Sequence, residues 1–391
     1  MHDLADTLTE PERRLLEAAR EFGRDYVAPH TDRWERAGAV PHEAFRAAAA
    51  IGLTGIEVPR AQGGQGGGFI AKLLIAEELA RTCMGFAFAL INTHNVAAKI
   101  ATDGTAAQAD RYIAPLLAGE IVGCTSLTEP HAGSDFPAIK SLARRVPEGW
   151  IIDGEKAWAT NATIADLALT YVKTNQAEGT AGIAGFLIDA RSPGFVRLPA
   201  YEVIGGRAIG AGGFRLEQYR AAEADLFLPP GQAFKRALGS INGARTYVAA
   251  MCCGMVDAAL SLALDYGRKR HAFGKPIVEH QGLRWSLADV ATDLEAARLL
   301  TSRAAILIAR GEDAVLAAAH AKKFAVQMAQ RRLGDCLQAM GAEGLRDAHP
   351  LGRHLACARI AGFVDGSTEM LNERIGAAMI KPPICIRPGP P

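Results

Sequence analysis

The sequence lacks the short motifs that mark several common kinds of catalytic site. Its 391 residues contain no HExxH, GxSxG or Walker pattern, and no GxGxxG behind a strand-like segment. Zinc-protease, serine-nucleophile and nicotinamide chemistry therefore have no support from motifs. The tract Gly63–Gly68 is glycine-rich, but no Lys-Ser or Lys-Thr follows it, so we interpret it as a flexible turn rather than a phosphate loop.

Charge, cysteine spacing and apolar runs exclude further classes. The 43 basic residues are balanced by 42 acidic ones, so the chain offers no electrostatic footprint for nucleic acid or an anionic membrane. Seven dispersed cysteines without CxxC spacing argue against a disulfide framework or a zinc site. No uninterrupted apolar run reaches the roughly 18–20 residues of a membrane span, and the N-terminus does not resemble a signal peptide. We therefore expect a cytoplasmic protein that binds neither nucleic acid nor membrane.

Three zones of different character divide the chain. Residues 1–120 show helical periodicity, residues 121–231 contain short β-branched and aromatic runs, and residues 232–391 are helical again. The predicted N-terminal helices are Ala44–Leu53, Ala71–Thr82 and Thr105–Leu117. The predicted strands are Trp150–Ile152, Leu167–Val172, Ile183–Ile188 and Phe214–Leu216. The third zone has an apolar stripe of Leu287, Val290, Ala291, Leu294 and Ala297, and it ends in a proline-rich tail, KPPICIRPGPP. This order predicts a mainly α protein with a central β-barrel or sandwich, and it does not by itself specify a function.

Two segments in the first half of the β zone contain residues that could contact a cofactor. Leu127–Asp135 (LTEPHAGSD) is a polar loop whose backbone N–H groups could approach an anion or a heteroaromatic edge, or it is an ordinary capped turn. Trp158–Asn161 (WATN) follows a predicted strand and could cover a flat cofactor. A core tryptophan is the more common explanation of that segment.

Two later segments carry charge. Arg270–Pro276 (RHAFGKP), with Gln281 beyond it, could grip a pyrophosphate and an adenine, or it is a solvated basic helix end. Val364–Met370 (VDGSTEM) places the carboxylate of Asp365 between predicted helices. That carboxylate could be a general base, although a helix cap is the more ordinary explanation.

Together, and in this order, the segments resemble those of the acyl-CoA dehydrogenase family over essentially the whole chain. LTEPHAGSD resembles the family's flavin-contacting signature, and RHAFGKP with Gln281 resembles its second signature. QAMGAEG at Gln338–Gly344 resembles its pyrophosphate contact, and VDGSTEM its catalytic-base loop. The resemblance implies an N-terminal helical domain, a middle β domain and a C-terminal four-helix bundle. It also implies FAD between the last two domains, completed by a neighbouring subunit of a homotetramer.

The resemblance also implies roles for individual residues. Asp365 would take the α proton of an acyl-CoA thioester while the β hydrogen leaves as hydride to flavin N5. A ribityl hydroxyl and the backbone N–H of Asp365 would stabilise the thioester oxygen, and an electron-transfer flavoprotein or similar acceptor would take the electrons. Substrate contacts are expected from Ser134, Arg245 and Gly366. Contacts to FAD are expected from Leu127, Thr128, Gly133, Ser134, Trp158, Thr160, Arg270, Phe273, Gln281, Gln338, Gly341, Ser367 and Glu369.

The base position departs from the family pattern. Aspartate stands where glutamate is usual, so the carboxylate is set back by one C–C bond, roughly 1.5 Å. The alternative base position of some relatives, just before Arg245, is Ala244, which cannot act. Asp365 resembles the aspartate of alicyclic acyl-CoA dehydrogenases and nitroalkane oxidases, and this favours a branched or alicyclic substrate. His131 and Ala342 stand where glycine is common, and we expect neither to abolish FAD binding.

Three other functions fit the same residues. The first is a nitroalkane-type flavin oxidase, in which Asp365 deprotonates a nitro-activated carbon and oxygen takes the electrons. The second is a dehydrogenase that acts on a carrier-protein thioester. The third is a catalytically silent flavoprotein subunit, whose retracted aspartate no longer reaches a substrate.

Overall fold

The computed structural model describes residues 2–175 and 179–380, and the predicted proline-rich tail lies outside these ranges. Helices flank a central β-sheet, and this confirms the expected fold class of a mainly α chain with a β domain in the middle.

The N-terminal helices pack around one long apolar helix. Their bounds are α1 His2–Ala5, α2 Glu10–Phe22, α3 Ala28–Ala37, α4 His42–Ala50, α5 Phe69–Asp103 and α6 Ala106–Leu117. The predicted helix Ala71–Thr82 covers only the first part of α5, which continues through a break at Cys83. The second part of α5 is buried on most of its surface, and its polar residues Asn92–Asn95 are themselves buried or half-buried, so it has no exposed polar face by which a sequence pattern could recognise it.

The glycine tract between α4 and α5 is a turn that is hydrogen-bonded to the preceding segment. The N–H groups of Gln65, Gly66 and Gly67 donate to the carbonyls of Gly55, Val58 and Ile56 at 2.8–2.9 Å. A Cβ atom on Gly64 would lie 2.1 Å from the carbonyl oxygen of Val58. The glycines therefore allow close backbone packing, which the expectation of a merely flexible turn did not include.

The middle region is one twisted sheet with strand order β6-β7-β3-β2-β4-β5-β8, and β1 pairs with β4 in parallel. All four predicted strands lie within observed ones, because each has the alternating burial of a half-covered sheet or the continuous burial of a central strand. The bounds are β1 Gly123–Ser126, β2 Leu142–Val146, β3 Gly149–Ala159, β4 Leu167–Lys173, β5 Ile183–Asp189, β6 Phe195–Arg197, β7 Gly212–Ala221 and β8 Leu226–Leu228.

The C-terminal region is a bundle of long helices with a small hairpin at one end. Its elements are α7 Ala233–Lys269, β9 His271–Ala272, β10 Lys275–Pro276, α8 Gln281–Ala309, α9 Val315–Met340, α10 Leu351–Ala361 and α11 Thr368–Ile380. The predicted stripe on α8 is buried except for Ala291, which is exposed. By composition, α7 is long and apolar enough to cross a membrane, but 72% of its apolar window is buried inside the protein.

Candidate active site

Asp365 lies on the tight turn between α10 and α11. Its φ of 52° is left-handed, which is uncommon for a residue other than glycine, and Gly366 follows at φ 94°. The hydroxyl of Ser367 accepts from the N–H of Met370 at 3.4 Å, so Ser367 caps α11. The ordinary explanation of Asp365 as the helix cap is therefore wrong. Glu369 is exposed on the first turn of α11.

Two buried cations hold the backbone of this turn. Nε of Arg245, on α7, donates to the carbonyl of Asp365 at 3.0 Å. Nζ of Lys322, on α9, donates to the carbonyl of Val364 and, at 2.6 Å, to that of Gly366. Three consecutive carbonyls are thus bonded to charged donors. A Cβ atom on Gly366 would lie 3.1 Å from Nη2 of Arg245, so a larger residue there would disturb the contact.

The carboxyl group of Asp365 is partly withdrawn from solvent, on a residue that is half-buried as a whole. Its Oδ2 atom is buried and accepts no hydrogen bond from the described residues. Burial raises the pKa of Asp365 above its usual value, and the charges of Lys322, Arg245 and Lys99 oppose that rise. A raised pKa increases the proton affinity of this carboxylate, which suits a general base.

A polar cluster that the sequence analysis missed lies between α5 and α7, beside the turn. Lys72 forms an ion pair with Glu57 and donates to Oδ1 of Asn95 at 3.3 Å. Nδ2 of Asn95 donates to the hydroxyl of Tyr247 at 3.3 Å. Burial and the charge of Asp365 raise the pKa of Tyr247 well above its usual value. Polar side chains therefore lie near the turn Val364–Ser367 on its α5 side, close enough for the charge of Asp365 to act on Tyr247.

A buried ion pair fixes the loop Leu127–Asp135. Nζ of Lys156 lies 2.8 Å from Oε1 of Glu129, and it also donates to the carbonyl of Leu127 at 3.2 Å. Both side chains are almost fully buried. The N–H of Ala157 donates to the carbonyl of Thr128 at 3.0 Å, which joins the loop to β3. The loop contains a turn, in which the backbones of Glu129 and Ala132 bond to each other, but Asp135 makes no side-chain cap bond to the helical turn that follows. The sequence analysis gave no role to the ion pair that holds the loop.

Trp158 presents its ring to the surface. The side chain is 62% exposed, its φ is 54°, and its ring centroid lies 4.3 Å from that of Tyr201. The more common explanation of a core tryptophan is therefore wrong. Thr160 lies two residues further on and is mostly buried, while Gly133 and Ser134 are exposed. An exposed indole beside an open glycine loop fits the face of a planar heteroaromatic group.

Residues of α5 contact both the segment that follows Trp158 and the helix α7 that carries Arg245. Nδ2 of Asn161 donates to Oγ1 of Thr93 at 3.2 Å, and Asn95, two residues later, bonds to Tyr247. Tyr247 in turn lies two residues after Arg245 on α7. One segment of α5 thus contacts both Asn161, three residues after Trp158, and Tyr247, on the helix whose Arg245 holds the Asp365 turn.

The remaining predicted residues lie at the other end of the bundle. Arg270 follows α7, Phe273 is 96% exposed at the tip of the β9–β10 hairpin, and Gln281 begins α8. Gln338 and Gly341 end α9. Among the described residues, the side chain of Arg270 has no hydrogen-bond or ion-pair partner. This observation fits both alternatives, a solvated basic helix end and a residue that binds an anion.

Helix lengths separate this group from Asp365. At 1.5 Å per residue, Arg245 and Arg270 are roughly 37 Å apart along α7, and Lys322 and Gln338 about 24 Å apart along α9. Helices α8 and α9 are joined by the short segment 310–314 and contact each other at the Arg332–Asp293 salt bridge of 2.8 Å, so the start of α8 lies beside the end of α9. The structure therefore keeps these residues at the end of the bundle, from Arg270 to Gly341, away from the Asp365 turn of the same chain.

Family models confirm the resemblance. Models described as the N-terminal, middle and C-terminal domains of acyl-CoA dehydrogenase match residues 9–120, 124–219 and 231–380. The chain belongs to the acyl-CoA dehydrogenase family. It is therefore a flavin-dependent oxidoreductase with FAD as its cofactor.

Solved structures share this acyl-CoA dehydrogenase fold over nearly the whole chain. Butyryl-CoA dehydrogenase from Megasphaera elsdenii is 29% identical, with a TM-score of 0.91 over 96% of this chain and 99% of that one. A chain in a structure described as the electron transferring flavoprotein of Acidaminococcus fermentans is 30% identical, with the same TM-score and coverage. The FAD complex of PigA is 25% identical, with a TM-score of 0.87 over 95% of this chain and 98% of that one.

The residues present fit FAD. The exposed face of Trp158 suits a flavin ring, and the buried Thr160 hydroxyl lies two residues away. Arg270 supplies a cation for a pyrophosphate, and the open positions of Gly133 and Gly341 leave room for close approach, since a Cβ on either would meet nothing nearer than 3.9 Å.

Proposed function

We propose that this protein removes the α and β hydrogens of an acyl-CoA thioester, with Asp365 as the base for the α proton. The observation that carries the proposal is the Asp365 carboxyl group, which is buried and unbonded at Oδ2 on a turn held by two cations. A carboxylate that were only structural would be hydrogen-bonded at such a site. Bound FAD would supply the acceptor for the two electrons that leave with the β hydrogen.

The backbone of the turn supplies the second requirement, stabilisation of the forming enolate. In the described chain, the N–H of Asp365 donates to no acceptor, and neither does that of Gly366, whereas the N–H of Val364 donates to the carbonyl of Ile360 at 3.3 Å. The free N–H of Asp365 is available to the thioester oxygen, as in an oxyanion hole. One residue would thus provide both the proton acceptor and the hydrogen-bond donor.

The shorter reach of aspartate supports a branched or alicyclic acyl group. Such a group places its α carbon against the turn, where a carboxylate set back by roughly 1.5 Å still meets it. The butyryl-CoA enzyme among the similar structures supports a short acyl chain. The similar chain in the structure described as the electron transferring flavoprotein of Acidaminococcus fermentans supports an electron-transfer flavoprotein as the electron acceptor.

The separation of the two residue groups supports an oligomer. A single FAD cannot span roughly 37 Å along α7 to reach both Arg270 and the Asp365 turn of one chain. A second copy would bring its own Arg270, Phe273 and Gln281 to this chain's flavin surface. We therefore propose a homotetramer in which each cofactor site is completed by a neighbour.

Anaerobic titration of the yellow protein tests the proposed function. Butyryl-CoA, isobutyryl-CoA, cyclohexanecarboxyl-CoA and a nitroalkane would be added separately while the flavin absorbance is followed. We expect bleaching by a CoA thioester, and most readily by one of the two α-branched compounds. Bleaching by the nitroalkane alone would identify an oxidase, and bleaching by none of them would favour a silent subunit or a carrier-protein substrate.

A further inference from the structure

Lys322 is a fully buried lysine whose hydrogen bonds, among the described residues, all go to the turn that carries Asp365. Its side chain is 0% exposed on α9, and its ammonium donates to the carbonyls of Val364 and Gly366, the residues on either side of Asp365. A buried ammonium is costly unless it is hydrogen-bonded and paired. Lys322 therefore places a charge that is costly to bury directly against the backbone on either side of Asp365.

Peptide planarity gives the Val364 contact a consequence for catalysis. The carbonyl of Val364 and the N–H of Asp365 belong to the same peptide group, and in a trans peptide they point in opposite directions. Because Lys322 holds that carbonyl, the N–H of Asp365 must point to the other side of the turn. The φ of 52° at Asp365 is unfavourable for a residue other than glycine, so this conformation persists only when its surroundings hold it.

We propose that protonated Lys322 is a positioning residue for the base: it holds the turn so that the N–H and carboxylate of Asp365 face the substrate, and its charge keeps that carboxylate ionised. This inference rests on the proposed function and concerns the same site. Arg245 holds only the central carbonyl of the turn, so it cannot replace Lys322 at the peptide that carries the Asp365 N–H.

The titration of Lys322 should then control how the rate of flavin reduction declines at alkaline pH. Burial lowers its pKa to about 8, the charges of Asp365 and Cys252 oppose this shift, and Arg245 adds to it. Lys99, on α5, acts on the same carboxylate. Above this pH the amine is neutral, and the pKa of Asp365 rises because an opposing cation is lost. Flavin reduction therefore needs a pH below the pKa of Lys322 and above that of Asp365, and the two values belong to the coupled pair.

Three variants test the proposal by stopped-flow flavin reduction on both sides of that pKa. Lys322→Met removes the charge and the donors, Lys322→Arg keeps the charge at all accessible pH values, and Lys323→Met is the matched control on the next residue of α9. We expect Lys322→Met to lose roughly 100-fold in rate, as for a base misplaced by about 1 Å. Lys322→Arg should lose the alkaline decline, whereas Lys323→Met should keep both the parent rate and the decline.

A second readout does not depend on turnover. Isotope-edited infrared spectra of the aspartates, with Asp365→Asn subtracted, report the protonation of Asp365 directly. We expect its pKa to rise in Lys322→Met and to stay unchanged in Lys323→Met.

The outcomes separate this inference from the proposed function. A folded, FAD-loaded Lys322→Met with the parent rate, the parent alkaline decline and the parent Asp365 titration would overturn the role of Lys322. If Lys322→Met does not fold, either of two other results would overturn the role of Lys322. One is a parent protein whose rate of flavin reduction does not decline at alkaline pH. The other is an alkaline decline that persists in Lys322→Arg. If no thioester reduces the parent flavin, the proposed function fails, and the infrared titration still decides whether Lys322 governs Asp365.

Discussion

Lengthening the base by one bond is the sharpest test of why this chain has aspartate. Asp365→Glu moves the carboxylate forward by roughly 1.5 Å. It leaves the turn's hydrogen bonds in place, because Arg245 and Lys322 bind backbone carbonyls rather than the side chain. Misplacement on the order of 1 Å can cost about 100-fold in rate. We therefore expect the substitution to lower flavin reduction by an α-branched acyl-CoA about 100-fold.

A straight-chain acyl-CoA of the same carbon number provides the internal comparison. Its α carbon lies further from the turn in this account, so glutamate should leave its rate unchanged or raise it. Anaerobic stopped-flow mixing measures both rates on the same preparation, with FAD occupancy as the control for folding. A glutamate variant that is faster on both substrates would refute the argument from reach. Activity in the variant with none in the parent would show that the parent is a silent subunit.

Three further predictions concern the cofactor, the assembly and the buried ion pair. Arg270→Ala should weaken FAD binding, because a charge-assisted contact to pyrophosphate is lost. Arg268→Ala, whose partner is the exposed Asp265 at 2.8 Å, is the matched control in an FAD dissociation assay, and equal affinities would assign Arg270 to solvent. Sedimentation should show an oligomer, and a stable FAD-saturated monomer would contradict the shared site. Glu129→Gln leaves Lys156 buried without its counter-charge and should reduce the free energy of unfolding by about 3 kcal/mol, whereas an unchanged denaturation midpoint would mean that the pair contributes nothing.

The sequence predicted those parts of the fold that depend on local patterns. The strands, the order of the three regions and the stripe on α8 follow from periodicities that neighbouring residues impose. The second half of α5 was missed because a helix that is buried on nearly all sides, with its polar residues inside, has no exposed polar face to set a periodicity. Trp158 was misjudged because composition does not show that a strained φ of 54° turns a large aromatic ring outward.

The contacts that hold the Asp365 turn and the loop Leu127–Asp135 join residues that are far apart in sequence. Lys322 meets its carbonyl partners 42 and 44 residues away, and Lys156 meets Glu129 27 residues away. No local spacing pattern connects such residues. Asp365 could be singled out from the sequence by resemblance, yet its exclusion as the helix cap required the observation that Ser367 caps α11.

The most direct test of the central claim compares the parent with Asp365→Asn. The amide keeps the shape of the side chain and the backbone N–H, but it removes the proton acceptor. The best acyl-CoA of the panel would be used in ordinary and α-deuterated form, with anaerobic flavin reduction as the signal. This account predicts that the parent is slowed by α-deuterium. It also predicts that Asp365→Asn binds FAD and ligand normally but is reduced about 10²- to 10⁴-fold more slowly, the usual range for loss of a general base. Equal reduction rates in the two proteins would show that another group takes the α proton.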